Sequence, residues 1–367
     1  MAKEPLYIEI YNTIKEWIAQ GKYAYGELLP TEQELCKQFF VSRITIQKCM
    51  RKLSDEGLIK RISGRGTYVD VQNDNRDSKT AQRKIGVILC NIGGSFGLDL
   101  FVAIEEAASK AGFAIIFKNS HDNVELEKAA VTELVACGVS GLIIQPIHGK
   151  YYNEQLIKLH LQKFPVILVD RQLAGFSIPS VSTNNYEATV SALEFLFKNG
   201  HESIAFICFA PKHTSTTEDR LSGFKAAFLM HDMLLTSDSI FTDIVSPAET
   251  RADTWREDVD KLKSYLAGKQ GLTCLFASEY SVARLVYAAV GELGKKIPDD
   301  YSFIMFDSAE SLEMLNVSHI RQDQVRIGRV AVDLLLKLLK GEITSDRIYV
   351  PYSLVEGATV KNIADGL

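Results

Sequence analysis

The chain has 367 residues, 46% of them hydrophobic, and carries 41 Lys and Arg against 46 Asp and Glu, a formal net charge of −5. This length predicts two or three compact units rather than one. Residues 1–15 have no continuous apolar core, and no later run reaches membrane-spanning length. We therefore expect no signal peptide, no membrane anchor and a cytoplasmic protein with no membrane partner.

Motifs for catalysis, cofactors and metals are missing from the sequence. It contains no GxGxxG, GxxxxGK[ST] or GxSxG pattern, its six cysteines form no CxxC pair, and its seven histidines form no HxH or HExxH pair. We therefore expect no enzyme activity, no cofactor, no metal site and reduced cysteines.

Residues 28–69 are the most informative stretch of the chain. Apolar residues at three- and four-residue spacing predict two short helices, each with one buried face. Thr31 with Glu34 forms a capping-box pattern before the first helix, and Ser42 is placed to cap the second. Gly57 is suited to end the second helix, and residues 58–61 and 67–69 resemble two strands joined by a glycine-containing turn. This order predicts a winged helix-turn-helix over residues 1–70.

The second of these helices has a basic exposed face. Residues 41–66 contain seven Lys and Arg against Asp55 and Glu56, a surplus of five in an acidic chain. Local positive charge of this kind suits phosphate binding, as does a helix start with a free hydroxyl, here Ser42. The alternative is a solvated basic helix in a protein–protein module. The polar and basic candidates for DNA contact are Thr31, Ser42, Arg43, Thr45, Gln47, Lys48, Arg51, Lys52, Arg65 and Gly66.

Residues 5–69 closely resemble the GntR family of bacterial regulators. The segments that carry the resemblance are PLYIEIYNTIKEWIAQGKYAYGELLPTEQEL, VSRITIQ and EGLIKRISGRGTYV. The resemblance implies that Arg43, Thr45, Gln47 and Gly66 contact the operator, with Arg51, Lys52 and Arg65 at phosphates or the minor groove. Gln47 stands where the family often has arginine. Because an amide suits adenine better than guanine, the base preference is expected to differ.

The rest of the chain is predicted to be α/β. A polar linker is expected at 71–84, followed by a two-lobed module over 85–367. We place one lobe at 85–183 and 309–342 and the other at 184–308 and 343–367. Continuous apolar strands separated by amphipathic helices predict parallel sheets. The predicted strands are 85–89, 114–117, 141–145, 166–169, 204–208, 273–276 and 303–306, and predicted helices include 100–111, 125–137, 186–199, 221–231 and 282–293.

Polar and aromatic residues follow several of the predicted strands, where parallel sheets bind ligands. Carboxylates, an arginine, amides and an aromatic ring are the groups that a polyol requires. The competing interpretation is that such residues only cap helices and turns. The candidates are Phe96, Gln145, Asp170, Arg171, Glu279, Asp307 and Gln322.

Residues 84–360 resemble the sensor core of LacI-type repressors and periplasmic sugar-binding proteins. The segments concerned are PVILVDRQ, NNYEATVSALEFLFKNGHESIAFI, DRLSGFKAAF, FASEYSVA, IPDDYSFIMFD, HIRQDQVRIG and IYVPYSLV. The resemblance implies sugar-hydroxyl contacts from Asp170, Arg171, Arg220, Asp307 and Gln322, with Phe96 as the stacking ring. Glu279-Tyr280 replaces the usual Asn-Asp, which favours different hydroxyl stereochemistry or a positive group on the ligand.

Three classes of function compete: an enzyme, a transport receptor and a one-component transcription factor. Only the last explains both a DNA reader and a sensor core, a combination known from arabinose-type regulators. We expect a homodimer that binds a palindromic operator, because one recognition helix covers few base pairs. The expected action is repression of carbohydrate-utilisation genes, relieved by a monosaccharide or a derivative. The alternative is an activator or a co-repressor-type regulator with a non-sugar effector.

Overall fold

The computed structural model describes residues 6–62, 65–70, 83–147, 153–173, 175–209, 214–245, 252–307, 316–342 and 347–364. The chain divides into two compact units, Met1–Gln82 and Arg83–Leu367. Residues 71–82 of the predicted linker lie outside the described residues. Its last two residues, Arg83 and Lys84, belong instead to the first strand of the second unit.

The first unit consists of three helices followed by a hairpin. Its elements are α1 (Leu6–Ala19), α2 (Glu32–Phe39), α3 (Arg43–Asp55), β1 (Ile59–Ile62) and β2 (Gly66–Val69). Strands β1 and β2 pair antiparallel, and Leu28 bridges to Tyr68 beside them. The core is formed by side chains spaced three or four residues apart on each helix, among them Ile14, Leu35, Ile46 and Leu53. This is the predicted winged helix-turn-helix.

Local capping fixes the starts of α2 and α3, the two helices joined by a short turn at residues 40–42. Thr31 and Glu34 form the predicted capping box, and the Ser42 side chain accepts a hydrogen bond from the backbone of Thr45. Gly57 follows α3 with a φ of 70°, as expected of a residue that ends a helix. Phe40, which ends α2, also has a positive φ of 56° although it carries a side chain. The turn is therefore tight and slightly strained.

The second unit alternates strands and helices along the chain. Its first half contains β3 (Arg83–Leu89), α4 (Leu98–Lys110), β4 (Phe113–Asn119), α5 (Val124–Ala136), β5 (Gly141–Ile144), α6 (Glu154–Leu161), β6 (Val166–Val169) and β7 (Ser180–Thr183). Its second half contains α7 (Asn185–Lys198), β8 (Ile204–Ile207), α8 (Ser215–Met230), β9 (Ile240–Phe241), α9 (Ala252–Ala267), β10 (Cys274–Ala277), α10 (Tyr280–Glu292), β11 (Ser302–Phe306), β12 (Ser318–Gln322), α11 (Gln324–Leu339), β13 (Arg347–Val350) and β14 (Tyr352–Val355).

These strands form two separate sheets, which define two lobes. Within the described residues the first lobe has the strand order β13-β7-β6-β5-β3-β4 and every pair is parallel. The second lobe has the order β14-β12-β11-β10-β8-β9, in which only β12 and β14 pair antiparallel. The central strands are buried along their whole length, as parallel sheets covered by helices require. The predicted two-lobed α/β architecture is confirmed.

The expected lobe boundaries are wrong at two strands. Strand β12 was expected in the first lobe but pairs with β11 and β14 in the second, and β13 was expected in the second but pairs with β7 in the first. The reason is that the chain crosses between lobes after Thr183, Gln322 and Val350, whereas helix α11 packs against α4 in the first lobe. A hydrogen-bonding partner, not a position in the chain, decides which lobe a strand joins. No helix among the described residues is long and apolar enough to cross a membrane.

Candidate functional site

Helix α3 presents a polar and basic face opposite its buried side. Ile46, Cys49, Met50 and Leu53 are buried, which leaves the opposite face to the solvent. The exposed side chains there are Arg43, Ile44, Gln47, Lys48 and Arg51. Four of these were predicted from the sequence, and Ile44 was not.

Glu32, at the start of α2, organises one edge of this face. Its Oε2 accepts hydrogen bonds from Arg43 Nε and Gln47 Nε2, each at 3.3 Å, and its Oε1 accepts one from Arg61. Its side chain is only 12% exposed. Burial opposes ionisation, but hydrogen bonds from Gln47 and Arg43 and the charge of Arg61 outweigh it, so the pKa of Glu32 is below its ordinary value. Glu32 thus holds two predicted DNA-contacting side chains in fixed positions; nothing in the sequence pattern had singled it out.

Three predicted polar residues are engaged in helix capping. Thr31 Oγ1 donates to Glu34 Oε2 at 2.8 Å and accepts from the backbone of Glu34 at 3.3 Å. Ser42 Oγ lies 2.9 Å from Thr45 Oγ1 and accepts from the backbone of Thr45 at 3.4 Å. These hydroxyls therefore shape the start of α2 and α3.

Lys52 lies apart from the other basic residues of α3. Its Nζ is 4.4 Å from the centre of the Tyr11 ring on α1, and its side chain is half-buried. The structure therefore places Lys52 on the α1 side of α3, rather than on the exposed face with Lys48 and Arg51. Its assignment as a phosphate contact stays a prediction.

The wing carries the remaining two candidates, Arg65 and Gly66. Arg65 is exposed, and its carbonyl oxygen accepts a hydrogen bond from the Tyr68 hydroxyl at 3.0 Å. Gly66 has a φ of 118°, and a Cβ atom there would lie 2.5 Å from Leu28 Cδ1. Only glycine fits this position without displacing Leu28.

In the second unit, the first lobe contributes three of the predicted ligand contacts. Gln145 follows β5 and donates to Asp170 Oδ2 at 2.8 Å, while its own oxygen accepts from the backbone of Cys90 at 3.2 Å. Arg171 follows β6 and donates through Nη1 to Ile147 O at 2.9 Å, with Nε 3.7 Å from Asp170 Oδ2. The structure therefore brings these three residues together, with Arg171 already engaged by protein oxygens.

The second lobe contributes Arg220, Asp307 and Gln322. Arg220, on α8, donates to Asn185 Oδ1 at 2.7 Å and to Ser278 O at 2.6 Å, and its guanidinium lies 3.8 Å from the centre of the Phe306 ring. Gln322 Nε2 lies 3.1 and 3.0 Å from the two oxygens of Asp307. We call the six residues from the two lobes the interlobe cluster: Gln145, Asp170, Arg171, Arg220, Asp307 and Gln322.

Electrostatic coupling shows that the two halves of the interlobe cluster face each other. Burial lowers the pKa of Arg220, and Asp307 and Asp170, one from each lobe, oppose that change. Burial also raises the pKa of Asp307 to about 7, against the effects of Arg220 and Gln322. The lobes also touch directly, since the backbone of Gln172 donates to Ser215 Oγ at 3.0 Å.

Several buried side-chain oxygens in and beside the interlobe cluster lack hydrogen-bond partners among the described residues. Gln322 Oε1, Ser278 Oγ and Thr183 Oγ1 are buried and have no hydrogen-bond partner in the described part of the chain. Leaving such atoms unpaired is costly, so native proteins usually satisfy them with water or a ligand. Asp170 and Asp307 directly follow their strands with positive φ values of 63° and 58°, a left-handed conformation that aspartate tolerates better than most residues.

Phe96 and Glu279 are less directly connected to the interlobe cluster. Phe96 is half-buried against the first-lobe core, in a loop held by Gln324, which accepts from the backbone of Gly97 at 2.8 Å and donates to Ser95 O at 3.0 Å. Glu279 accepts a hydrogen bond from Ser281, and its negative charge acts to raise the pKa of both Arg171 and Arg220. No group of three or more His, Cys, Asp or Glu in the described ranges is placed to hold a metal.

The chain joins a winged helix-turn-helix, whose basic helix α3 we call the reading helix, to a two-lobed module with a polar interlobe cluster. This combination defines the class of ligand-responsive DNA-binding regulators. Residues 6–69 match the model of bacterial regulatory proteins of the gntR family. Residues 82–243 match that of periplasmic binding proteins and the sugar-binding domain of the LacI family, and residues 193–360 match a periplasmic binding protein-like domain. The chain therefore combines a GntR-type helix-turn-helix domain with a LacI-type sensor domain.

Two curated relatives are similar to this chain over nearly its full length. The arabinose metabolism transcriptional repressor of Geobacillus stearothermophilus is 23% identical, with 97% of this chain and 98% of the relative covered. The ribose operon repressor of Halalkalibacterium halodurans is 24% identical, with 91% and 98% covered. The crystal structure of the transcription regulator CcpA of Lactococcus lactis has a TM-score of 0.66 and 22% identity, covering 76% of this chain and 100% of that one. This structure supports the fold of the second unit.

Proposed function

We propose that this protein is a transcriptional repressor of carbohydrate-utilisation genes, and not an enzyme, whose operator binding is relieved by a monosaccharide or a close derivative. The observation that carries the proposal is the interlobe cluster, with the unpaired Gln322 Oε1 inside it, on a chain that also bears a basic reading helix. The relatives that repress arabinose metabolism and the ribose operon support the same assignment.

The proposed effector lies between the lobes. In this proposal the carboxylates of Asp170 and Asp307 accept hydrogen bonds from hydroxyl groups. Gln322 Oε1, which is buried and has no donor among the described residues, accepts another. Arg171 and Arg220 donate to the neighbouring carbonyl oxygens of Ile147 and Ser278, which orients their guanidinium groups within the interlobe cluster. The remaining proposed contacts are Gln145, Glu279 and the ring of Phe96, and a polyol offers the hydroxyl groups and apolar ring face that this set requires.

The proposed operator contact lies on α3 and the wing. Arg43 and Gln47 are assigned to base edges, Lys48, Arg51, Lys52 and Arg65 to phosphates or a groove, and Gly66 to close backbone approach. Thr31, Ser42 and Thr45 hold the helix starts next to the DNA backbone. A homodimer on a palindromic operator, working in the cytoplasm without a cofactor, completes the proposal.

The test uses the full-length protein with duplex DNA that it enriches from a randomised pool. Neutral monosaccharides are first screened for a rise in melting temperature, and each positive sugar is then added to the protein–duplex complex. We expect at least one sugar to stabilise the protein and to weaken duplex binding by about 5–150-fold, the usual range of allosteric coupling. A protein that enriches no sequence, or that no sugar or sugar derivative stabilises, would contradict the proposal.

A further inference from the structure

Ile44 occupies the centre of the exposed face of α3. It precedes the fully buried Ile46 by two residues, which places it about 160° round the helix axis from that side chain. Lys48 and Arg51 follow it by one and two turns and form a ridge with it. The Ile44 side chain is 67% exposed, in the first turn of the helix. The most outward position at the start of the reading helix is therefore apolar.

The fold of the unit does not require an isoleucine at this position. The core contacts of α3 come from Ile46, Cys49, Met50 and Leu53 on the opposite side, and Ile44 is absent from that core. A single exposed apolar residue is ordinary on a protein surface. Ile44 differs because polar and basic side chains surround it on the face whose first turn enters the groove in helix-turn-helix proteins.

The neighbours of Ile44 cannot perform the same recognition. Arg43 and Gln47 are drawn towards Glu32 at one edge of the face and recognise hydrogen-bonding groups. Lys48 and Arg51 carry charges that suit phosphates or guanine. In the major groove the thymine C5-methyl group is the apolar feature that distinguishes a base pair, and apolar side chains or the methyl of a threonine gain from covering it. Thr45, which carries such a methyl, is half-buried and its hydroxyl is engaged with Ser42 at the start of the helix.

We propose that Ile44 is a specificity-determining residue that packs against a thymine methyl group in each half-site of the operator. This rests on the proposed function, in which α3 reads operator DNA. Recognition of one base then depends on the exclusion of water from two apolar surfaces rather than on a hydrogen bond. Because the proposed contact of Ile44 involves no hydrogen bond to the base pair, removal of the methyl group alone abolishes it.

The experiment uses full-length protein and the duplex that it enriches from a randomised pool, with each thymine replaced singly by deoxyuridine. Deoxyuridine lacks only the methyl group and keeps the base pair. At one thymine per half-site the replacement weakens wild-type binding by about fourfold, the value of one buried methyl-sized group. In Ile44→Ala this dependence disappears, whereas Ile44→Val retains it. Val102→Ala, an exposed apolar residue on α4 in the other unit, serves as the matched control and leaves the wild-type pattern intact.

Three results overturn the proposal. Wild-type binding that tolerates deoxyuridine at every thymine shows that no methyl group is read, and this result needs no variant. A methyl dependence that persists unchanged in Ile44→Ala assigns the contact to another residue. Failure to enrich any sequence removes the proposed function as well, so the two hypotheses fail in distinguishable ways. Melting curves of Ile44→Ala that match the wild type establish that the variant is folded.

Discussion

At the residue scale, Arg43 is already oriented in the DNA-free protein. Its Nε donates to Glu32, which leaves the two terminal nitrogens of the guanidinium available for a base edge or a phosphate. We expect Arg43→Ala to weaken specific binding by about 1–3 kcal/mol, the value of a bidentate base contact. Fluorescence anisotropy with the enriched duplex measures the loss. Lys110→Ala, which removes a charge from the other unit, is the control, and equal affinities for both variants would exclude Arg43 from the reading set.

Asp307 gives a second prediction at the same scale, because its raised pKa makes stability depend on pH. The folded protein holds the proton up to about pH 7, whereas the unfolded chain releases it near the ordinary value of 3.8. The stability of the protonated form is therefore fully present below about pH 4 and is lost as the pH rises to about 7. Asp307→Asn, which stays neutral, is expected to melt above the wild type at pH 8, with a smaller difference at pH 5.

At pH 8, where Asp307 is charged in the wild type, the same variant should bind the effector more weakly, since a charged acceptor has become an amide. Melting temperatures of both proteins at pH 5 and pH 8, together with calorimetry on the sugar found by screening, measure the two effects. A melting difference that does not change between these pH values would contradict the assigned titration of Asp307. Asp323→Asn, an exposed carboxylate that caps α11, provides a control outside the interlobe cluster.

At the scale of elements, the α2–α3 turn is held in a conformation that its sequence disfavours. Phe40 has a φ of 56° and its side chain is 94% exposed, so no burial compensates for the left-handed backbone. We expect Phe40→Gly to stabilise the first unit by up to about 1 kcal/mol, with part of the gain offset by the greater freedom of the unfolded chain. Phe40→Ala keeps the strain and should gain less.

Trp17 allows the stability of the first unit to be measured, because it stacks on Phe39 at the end of α2 with ring centres 5.5 Å apart. In a Trp255→Phe background it is the only tryptophan of the chain. Its fluorescence during urea titration then reports the unfolding of the first unit. If Phe40→Ala proved as stabilising as Phe40→Gly, the backbone explanation would be wrong.

Local patterns were sufficient to predict most elements and many side chains at the strand ends. Strands β3, β5, β6 and β11 can be recognised from their apolar sequences, because a strand buried on both faces must be apolar along its length. Strand β12 was missed because its sequence, Ser318–Gln322, contains His319 and Arg321, and its pairing with β11 is decided by distant residues. Glu32 and Ile44 were missed for a related reason: a search for basic groups does not register an acid that positions them or an apolar residue between them.

At the scale of the whole molecule, effector binding and operator binding must influence each other equally. The chain crosses between its lobes after Thr183, Gln322 and Val350, and Gln322 belongs to the interlobe cluster, so a ligand there acts directly on a crossing segment. We expect the sugar to lower operator affinity, and saturating operator to lower sugar affinity by the same factor. Calorimetry of the sugar with and without duplex tests this. Tighter sugar binding in the presence of DNA would identify a co-repressor or an activating ligand instead.

The carboxylate of Glu32 has a consequence for how the regulator finds its operator among the other sequences of a chromosome. Attraction to unrelated DNA depends on positive charge and carries no sequence information, and a specific site competes with on the order of 10⁶–10⁹ unrelated ones. Because Glu32 neutralises part of the charge of Arg43 and Arg61, we expect it to weaken binding to every unrelated sequence. We expect the operator to offset this loss, because its bases offer additional partners to the terminal nitrogens of Arg43. With weaker binding to unrelated DNA, fewer copies of the regulator are held away from the operator. Fewer copies are then needed to keep one operator occupied.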